Sequence, residues 1–277
     1  MLGIVPESCM TSTPTLIDIG INLAHDSFDA DRESVIARAY AAGIVQMIIT
    51  GASAPGSRQA LALARAAPHR HFATAGIHPH HASELDEEQL AEIESLAGQP
   101  EVVAVGECGL DYFRDFSPRA VQQRAFHQQL ELAARVGKPV FLHERDAHDD
   151  FVSIVREHRR CLVGAVAHCF TGTAAQLHRY LDLDLAIGIT GWVCDERRGA
   201  HLLPLLRQIP AAALHLETDA PYLLPRDLKP RPASRRNEPM HLRHIALVVA
   251  QARGETLHQL AATTAAASRA LFKLPLG

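Results

Sequence analysis

Eight short apolar runs, many of them rich in β-branched residues, recur along the chain, and stretches of helical spacing lie between them. The runs are Leu16–Ile19, Val45–Thr50, Phe72–Gly76, Val102–Gly106, Val140–His143, Ala165–His168, Ala186–Ile189 and Leu214–Glu217. They read as apolar throughout instead of alternating, which predicts strands covered on both faces, as in a parallel sheet with helical crossovers. Between them, Asp31–Ala42 puts Val35, Ile36, Ala39 and Tyr40 on one helical face. Pro118–Val136 does the same with Val121, Ala125, Leu132 and Val136. Gly43 and Gly137 stand where helices end, and Pro118 stands at a helix start. Eight strands separated by helices predict an α/β fold, a single (β/α)₈ barrel, with the C-terminal helix packed outside it. An open doubly wound sheet would show a glycine fingerprint after its first strand, but here Gly20-Ile21-Asn22-Leu23 follows. Neither a repeat nor a linker divides the chain. The expected organisation is a loose tail over residues 1–14 and one domain over 15–277.

The reactive residues fall at the ends of these strands, where such barrels carry their active sites. Asp18 lies in strand one, and Gly76-Ile77-His78-Pro79-His80 closes strand three. Glu107 ends strand four, His143 strand five and His168 strand six, and Glu217-Thr218-Asp219 ends strand eight. Two histidines and two carboxylates converging from different strands suit a divalent ion such as zinc or manganese. An incomplete protein shell leaves room for water and substrate, and Asp219 serves as ligand or as the base that takes the water's proton. Asp18 is read either as a further ligand or as a hydrogen-bonding group near the barrel floor. Cys108 and Cys169 each follow a proposed ligand, so strand alternation turns them away as packing residues. His69, His71, His148 and His158 read as helix or loop residues on solvated faces. Trp192, the single tryptophan, either stacks a base or packs a wall.

Charge narrows the partner. A net charge of -4 gives no global basic field for a long duplex. The stretch Pro225–Pro239 nevertheless carries Arg226, Lys229, Arg231, Arg235 and Arg236 against Asp227 and Glu238, with Arg114 and Arg145 near the same barrel face. Charge alone leaves two readings: a phosphate-binding rim, or a solvated loop stiffened by four prolines. Five cysteines without a C-x-x-C pair suit a reducing cytosol. Residues 1–14 lack the basic segment of a secretory signal, and no run of about 18 apolar residues predicts a membrane span. The expected protein is therefore cytoplasmic; it is also expected to be a monomer with no obligatory protein partner.

Several longer motifs carry a family resemblance. They are Gly76–His80, Gly106-Glu107-Cys108-Gly109-Leu110-Asp111, His143-Glu144-Arg145-Asp146-Ala147, His168-Cys169-Phe170-Thr171-Gly172 and Glu217-Thr218-Asp219-Ala220-Pro221-Tyr222. Together they resemble the signatures of the TatD metallo-dependent hydrolases. Residues 188–199 and 234–239 resemble the branch that gives that family its name. The match runs from about Thr15 to the C-terminus. The resemblance implies an amidohydrolase-type barrel and a magnesium-dependent 3′→5′ exonuclease on single-stranded DNA and RNA, with a role in repairing oxidative DNA damage. It implies Glu107, His143 and His168 as metal ligands, Asp219 as catalytic or ligating, and His78 as facing substrate. With it, His80, Arg145, Arg235 and Arg236 are expected to bind substrate, and the ion is expected to be Mg²⁺, with Mn²⁺ or Zn²⁺ also suited. One departure stands out: where many relatives open with Asp-x-His-x-His, this chain reads Asp18-Ile19-Gly20-Ile21-Asn22. A second ion would then depend on oxygen ligands such as Asp18 and Asn22. The alternative activity on the same barrel is that of a small-molecule amidohydrolase or lactonase, enzymes that usually keep the His-x-His of strand one.

Overall fold

Strands β1 (Leu16–Ile21), β2 (Ile44–Ile49), β3 (His71–Ala75), β4 (Val102–Asp111), β5 (Val140–Arg145), β6 (Ala165–Ala167), β7 (Ala186–Ile189) and β8 (Leu214–Leu216) pair in parallel and in sequential order. In this computed structural model residues 13–276 are described. The expected tail, Cys9 included, lies outside them apart from Thr13 and Pro14. Helices α1 (Arg32–Ala41), α2 (Ala54–Ala66), α3 (Glu87–Ala97), α4 (Arg119–Val136), α5 (His148–His158) and α6 (Ala174–Leu181) follow the first six strands in turn. Only single-turn helices link β7 to β8, and α7 (Leu242–Arg253) and α8 (Leu257–Phe272) come last.

β1 and β8 share no ladder of paired residues. They meet through Asp219 N–H to Gly20 C=O and Asn22 N–H to Ala220 C=O, each 2.8 Å. Asp18 stitches the same seam: its Oδ1 accepts from Thr218 N at 2.9 Å and its Oδ2 from Thr218 Oγ1 at 2.5 Å.

The largest difference from the expected strands is β4, which runs five residues past Gly106 to Asp111. Its far end pairs with the far end of β5, Gly109 opposite His143 and Asp111 opposite Arg145. A Cβ at Gly109 would lie 1.9 Å from His143 O, so only glycine allows this approach. α4 begins at Arg119, with Pro118 as its N-cap, one residue later than expected, and Gly137 ends it at φ 66°. Inside the barrel, below the strand ends, Ile17, Ile19, Ile48, Phe72, Val103, Phe141 and Val166 form one apolar cluster. Ala265, Phe272 and Leu274 join it, so the C-terminal helix closes the barrel floor and does not simply pack outside. Each phenylalanine fully buried here contributes about 1.5–3 kcal/mol.

Buried polar side chains on α4 have a specific use. Gln129 accepts from Ile77 N–H and donates to Ile77 C=O, while Gln122 accepts from Asp111 N–H and donates to Asp111 C=O. Spaced seven residues apart on one helix face, they hold the backbone of the segments that carry His78 and Asp111.

Candidate active site

The C-terminal ends of β3 to β6 bring one carboxylate oxygen and three imidazoles together. Glu107 Oε1 lies 2.8 Å from His143 Nδ1, 2.8 Å from His168 Nε2 and 3.4 Å from His78 Nε2. His143 Nδ1 and His168 Nε2 are 3.4 Å apart. Asp219 points in from the end of β8, its Oδ1 accepting from Asn22 Nδ2 at 2.9 Å. These residues line a cleft of about 510 Å³, shared with His80, Asp111, Arg114, Arg145, Trp192 and Tyr222. A second cleft of about 620 Å³ adjoins it across Glu144, Arg145, His168 and Trp192.

Two carboxylates behind these histidines, Glu217 and Asp111, carry no assigned role in the sequence reading. Glu217, fully buried, accepts from Cys169 N–H at 2.5 Å through Oε1, and its Oε2 lies 3.4 Å from His168 Nδ1. Gly20 and Gly188 make its slot, since a Cβ on either would come within 2.5 Å of a Glu217 oxygen. Asp111 lies 2.8 Å from His80 Nε2 and 3.5 Å from His143 Nε2, and its Oδ1 accepts from Phe113 and Arg114 N–H. The signal for Asp111 is spacing: it stands four residues after Glu107 on β4, where even spacing shares a face, whereas Glu217 lies past the end of β8.

The electrostatics follow from this packing. Burial by itself would raise the Glu107 carboxyl, but His168, His78 and His143 override it and hold it well below the usual range. Burial opposes charge on His168, yet Glu107 and Glu217 lift it well above an ordinary imidazole. His143 is also raised, burial being outweighed by Asp111 and Glu107. His78 goes the other way, pushed down to about 4 by burial, with Glu107 only partly compensating. Its Nδ1 accepts from His80 N–H at 3.1 Å, which leaves Nε2 facing Glu107. Burial pushes Asp219 up to about 7, His168 pulling against it and Glu107 and Glu217 adding to it.

These residues fit a divalent cation. Three ring nitrogens crowd one carboxylate oxygen, and a cation among them would be shared by the same lone pairs. On their far sides His168 Nδ1 stands 3.4 Å from Glu217 Oε2 and His143 Nε2 3.5 Å from Asp111 Oδ2, the carboxylate backing that orients imidazoles toward a metal. His78, Glu107 and His143 each offer a ligand atom within 4.8 Å of the others. His78, expected to face substrate, thus offers a ligand atom to the same cluster as Glu107 and His143.

Not every expected residue joins the cluster. Asp18 does not: both its oxygens are committed to the β1–β8 seam, and burial pushes its carboxyl up to about 8. Arg236 is spent on structure, bound to Asp31 by two contacts of 2.7 Å and to Ser27 O and Glu238. Arg235 is exposed and lies outside the cleft lining. Arg145 and Arg114 do line the cleft, as does His80. Cys108 is buried in the core as expected. Cys169 instead lines both clefts, because β6 ends at Ala167 and strand alternation no longer orients it. Trp192 forms part of the wall, its indole donating to Arg198 C=O at 3.3 Å. His71 opens β3 as a buried residue bonded to Tyr40, not as a solvated one.

The family model described as TatD related DNase matches residues 17–273. The chain belongs to the TatD family. Among TatD relatives, it is 54% identical to the 3′-5′ ssDNA/RNA exonuclease TatD of Erwinia billingiae, over 94% of this chain and 100% of that one. It is 52% identical to the protein of the same name from Salmonella typhimurium, over 94% and 99%. A crystal structure of the TatD homolog YJJV from Escherichia coli superposes with a TM-score of 0.86 at 29% identity, covering 95% of this chain and all of that one. A TatD family hydrolase from Entamoeba histolytica gives the same TM-score at 26% identity, over 96% of this chain and all of that one. Family and fold therefore agree with the resemblance carried by the motifs.

Proposed function

We propose that this TatD family member is a metal-dependent exonuclease that removes nucleotides from the 3′ end of single-stranded DNA and RNA. The observation that carries the reading is the Glu107–His143–His168–His78 cluster at the bottom of a cleft rimmed by Arg114 and Arg145. Single-strand preference and polarity come from the names of the exonuclease relatives. Exposed Tyr222 lines this cleft, Phe113 lines the adjoining one and Phe116 packs against His80, and they support it by offering faces on which unpaired bases stack.

Glu107, His143 and His168 would hold the ion, Mg²⁺ in this reading with Mn²⁺ as the natural substitute, and His78 lies within reach. A bound ion there would supply Lewis acidity to the scissile phosphate and lower the pKa of the attacking water. Asp219, held at the end of β8 by the Asn22 amide, would be placed to accept that water's proton. Arg145 and Arg114 would offset charge on the non-bridging oxygens. A thiol nucleophile is disfavoured, because burial pushes Cys169 up to about 12. The reading includes action as a cytoplasmic monomer. No helix among the described residues is long and apolar enough to cross a membrane.

The test uses 5′-labelled single strands with magnesium and then with EDTA. A ladder that shortens one nucleotide at a time and stops with EDTA is expected. Early release of the 5′ label, or cuts in a closed circle, would overturn the polarity. Activity that survives EDTA would overturn the metal dependence. Preference for lactones or amides over oligonucleotides would favour the amidohydrolase alternative.

A further inference from the structure

Away from the Glu107 cluster, the loops after β7 and β8 bring three different ligand types together. Cys194 ends the turn Gly191–Cys194 after β7, Asp227 lies on the loop after β8, and His244 sits in the first turn of α7. Their sulfur, carboxylate oxygen and imidazole nitrogen all lie within 4.8 Å of one another. His244 Nε2 is 2.7 Å from Asp227 Oδ1, and the Cys194 thiol faces the same carboxylate. Cys194 is buried, while the side chains of His244 and Asp227 keep 28% and 42% exposure. The cluster is thus walled on one side and open to water on the other.

We propose that Cys194, Asp227 and His244 form a second metal site, selective for zinc over magnesium, that clips the β8 loop to the β7 loop and to α7. Sulfur, imidazole and a single carboxylate make a donor set for zinc, whereas magnesium selects oxygen ligands and water. A tetrahedral zinc ion with bonds of about 2.0–2.3 Å keeps its ligand atoms roughly 3.4–3.6 Å apart. The Asp227–His244 pair must therefore open by somewhat more than half an ångström, from 2.7 Å. Side-chain rotation supplies that movement, since two of the three residues face solvent. On binding, the Cys194 thiol releases its proton to water, its sulfur bonds the ion, and a water molecule completes the fourth position. Burial and the Asp227 charge hold that thiol well above its ordinary range, so zinc has to displace a firmly held proton and affinity rises with pH. The site has a bearing on catalysis: Trp192 lies two residues before Cys194, and Tyr222 and Leu223 precede Asp227 on its loop. All three line the catalytic cleft, so an ion here fixes one wall of it.

The competing account is a hydrogen-bonded clamp without metal, and cobalt separates the two. Co²⁺ added to the whole protein should give a near-ultraviolet thiolate-to-cobalt absorption band. Zn²⁺ in excess over both clusters should remove the band, and excess Mg²⁺, which competes for the Glu107 cluster, should not. The band should disappear in Cys194→Ser and in His244→Ala. It should persist in Cys169→Ser, whose thiol borders the catalytic cleft. Zn²⁺ should slow amide exchange in residues 222–230 by tenfold or more in the wild type and leave Cys194→Ser unchanged. No band in the wild type, a band that Mg²⁺ displaces, or a band kept in Cys194→Ser each overturns the site. If Cys194→Ser fails to fold, the Mg²⁺ competition and the solvent-facing His244→Ala variant still decide.

Discussion

Glu217→Gln tests whether the carboxylate behind His168 governs the ion. The amide has the same size and fits the slot between Gly20 and Gly188. Its oxygen can keep accepting from Cys169 N–H, so the fold should change by less than about 1 kcal/mol. What disappears is the charge 3.4 Å from His168 Nδ1. A unit charge pair at that distance is worth about 5 kcal/mol at an effective dielectric of 20. The amide dipole recovers part of this, and groups that act through a ligand ordinarily cost roughly 10–100-fold in metal affinity. The expected loss is therefore about 1.4–2.7 kcal/mol of Mn²⁺ binding, read by calorimetric titration, with activity partly restored at saturating metal. Glu217→Ala should do worse, adding about 1–3 kcal/mol of fold instability because the Cys169 N–H loses its acceptor. A Glu217→Gln protein with wild-type melting and a metal Kd within twofold of wild type would refute this role.

Glu107→Ala and His143→Ala should each cost more than the roughly 100-fold typical of groups that act through a ligand, with far-ultraviolet circular dichroism unchanged. Wild-type rates and metal content in either variant would remove that residue from the site. Asp18 has its carboxyl raised in the fold from an ordinary 3.8 to about 8. Its contribution to stability is thus full below about pH 4 and lost as pH rises through 8. The wild type should lose Tm relative to Asp18→Asn over that window, and parallel curves would show that the seam carboxyl is not raised. Arg145→Glu should raise KM for oligonucleotides and flatten its salt dependence. Arg236→Ala should instead lower Tm and leave KM unchanged, and the reverse pattern in a kinetic and melting comparison would return Arg236 to the substrate.

Much of this architecture is legible in the sequence because a doubly covered strand leaves a simple trace. All eight runs became strands, and Ala186–Ile189 matches β7 residue for residue. The clustering of Glu107, His143 and His168 was legible for a related reason, since they stand where apolar runs stop. What escaped was long-range hydrogen bonding. Nothing local shows that the Asp18 oxygens go to Thr218 or that the Arg236 guanidinium is taken by Asp31. A charge count treats a clamped arginine and a free one alike. Cys169 escaped because a strand one residue shorter than expected cancels the alternation that would have turned it away.

The seam between β1 and β8 sets the order in which the molecule comes apart. Every other neighbouring pair of strands shares a ladder of paired residues. This pair is fastened by two backbone bonds and the grip of Asp18 on Thr218, next to Asp219. Warming should release that fastening before the rest of the wall gives way, taking Asp219 and Asn22 out of register while the helices remain folded. Heat inactivation should then precede loss of secondary structure, and the Asp219 and Asn22 amides should be among the first barrel amides to exchange with solvent.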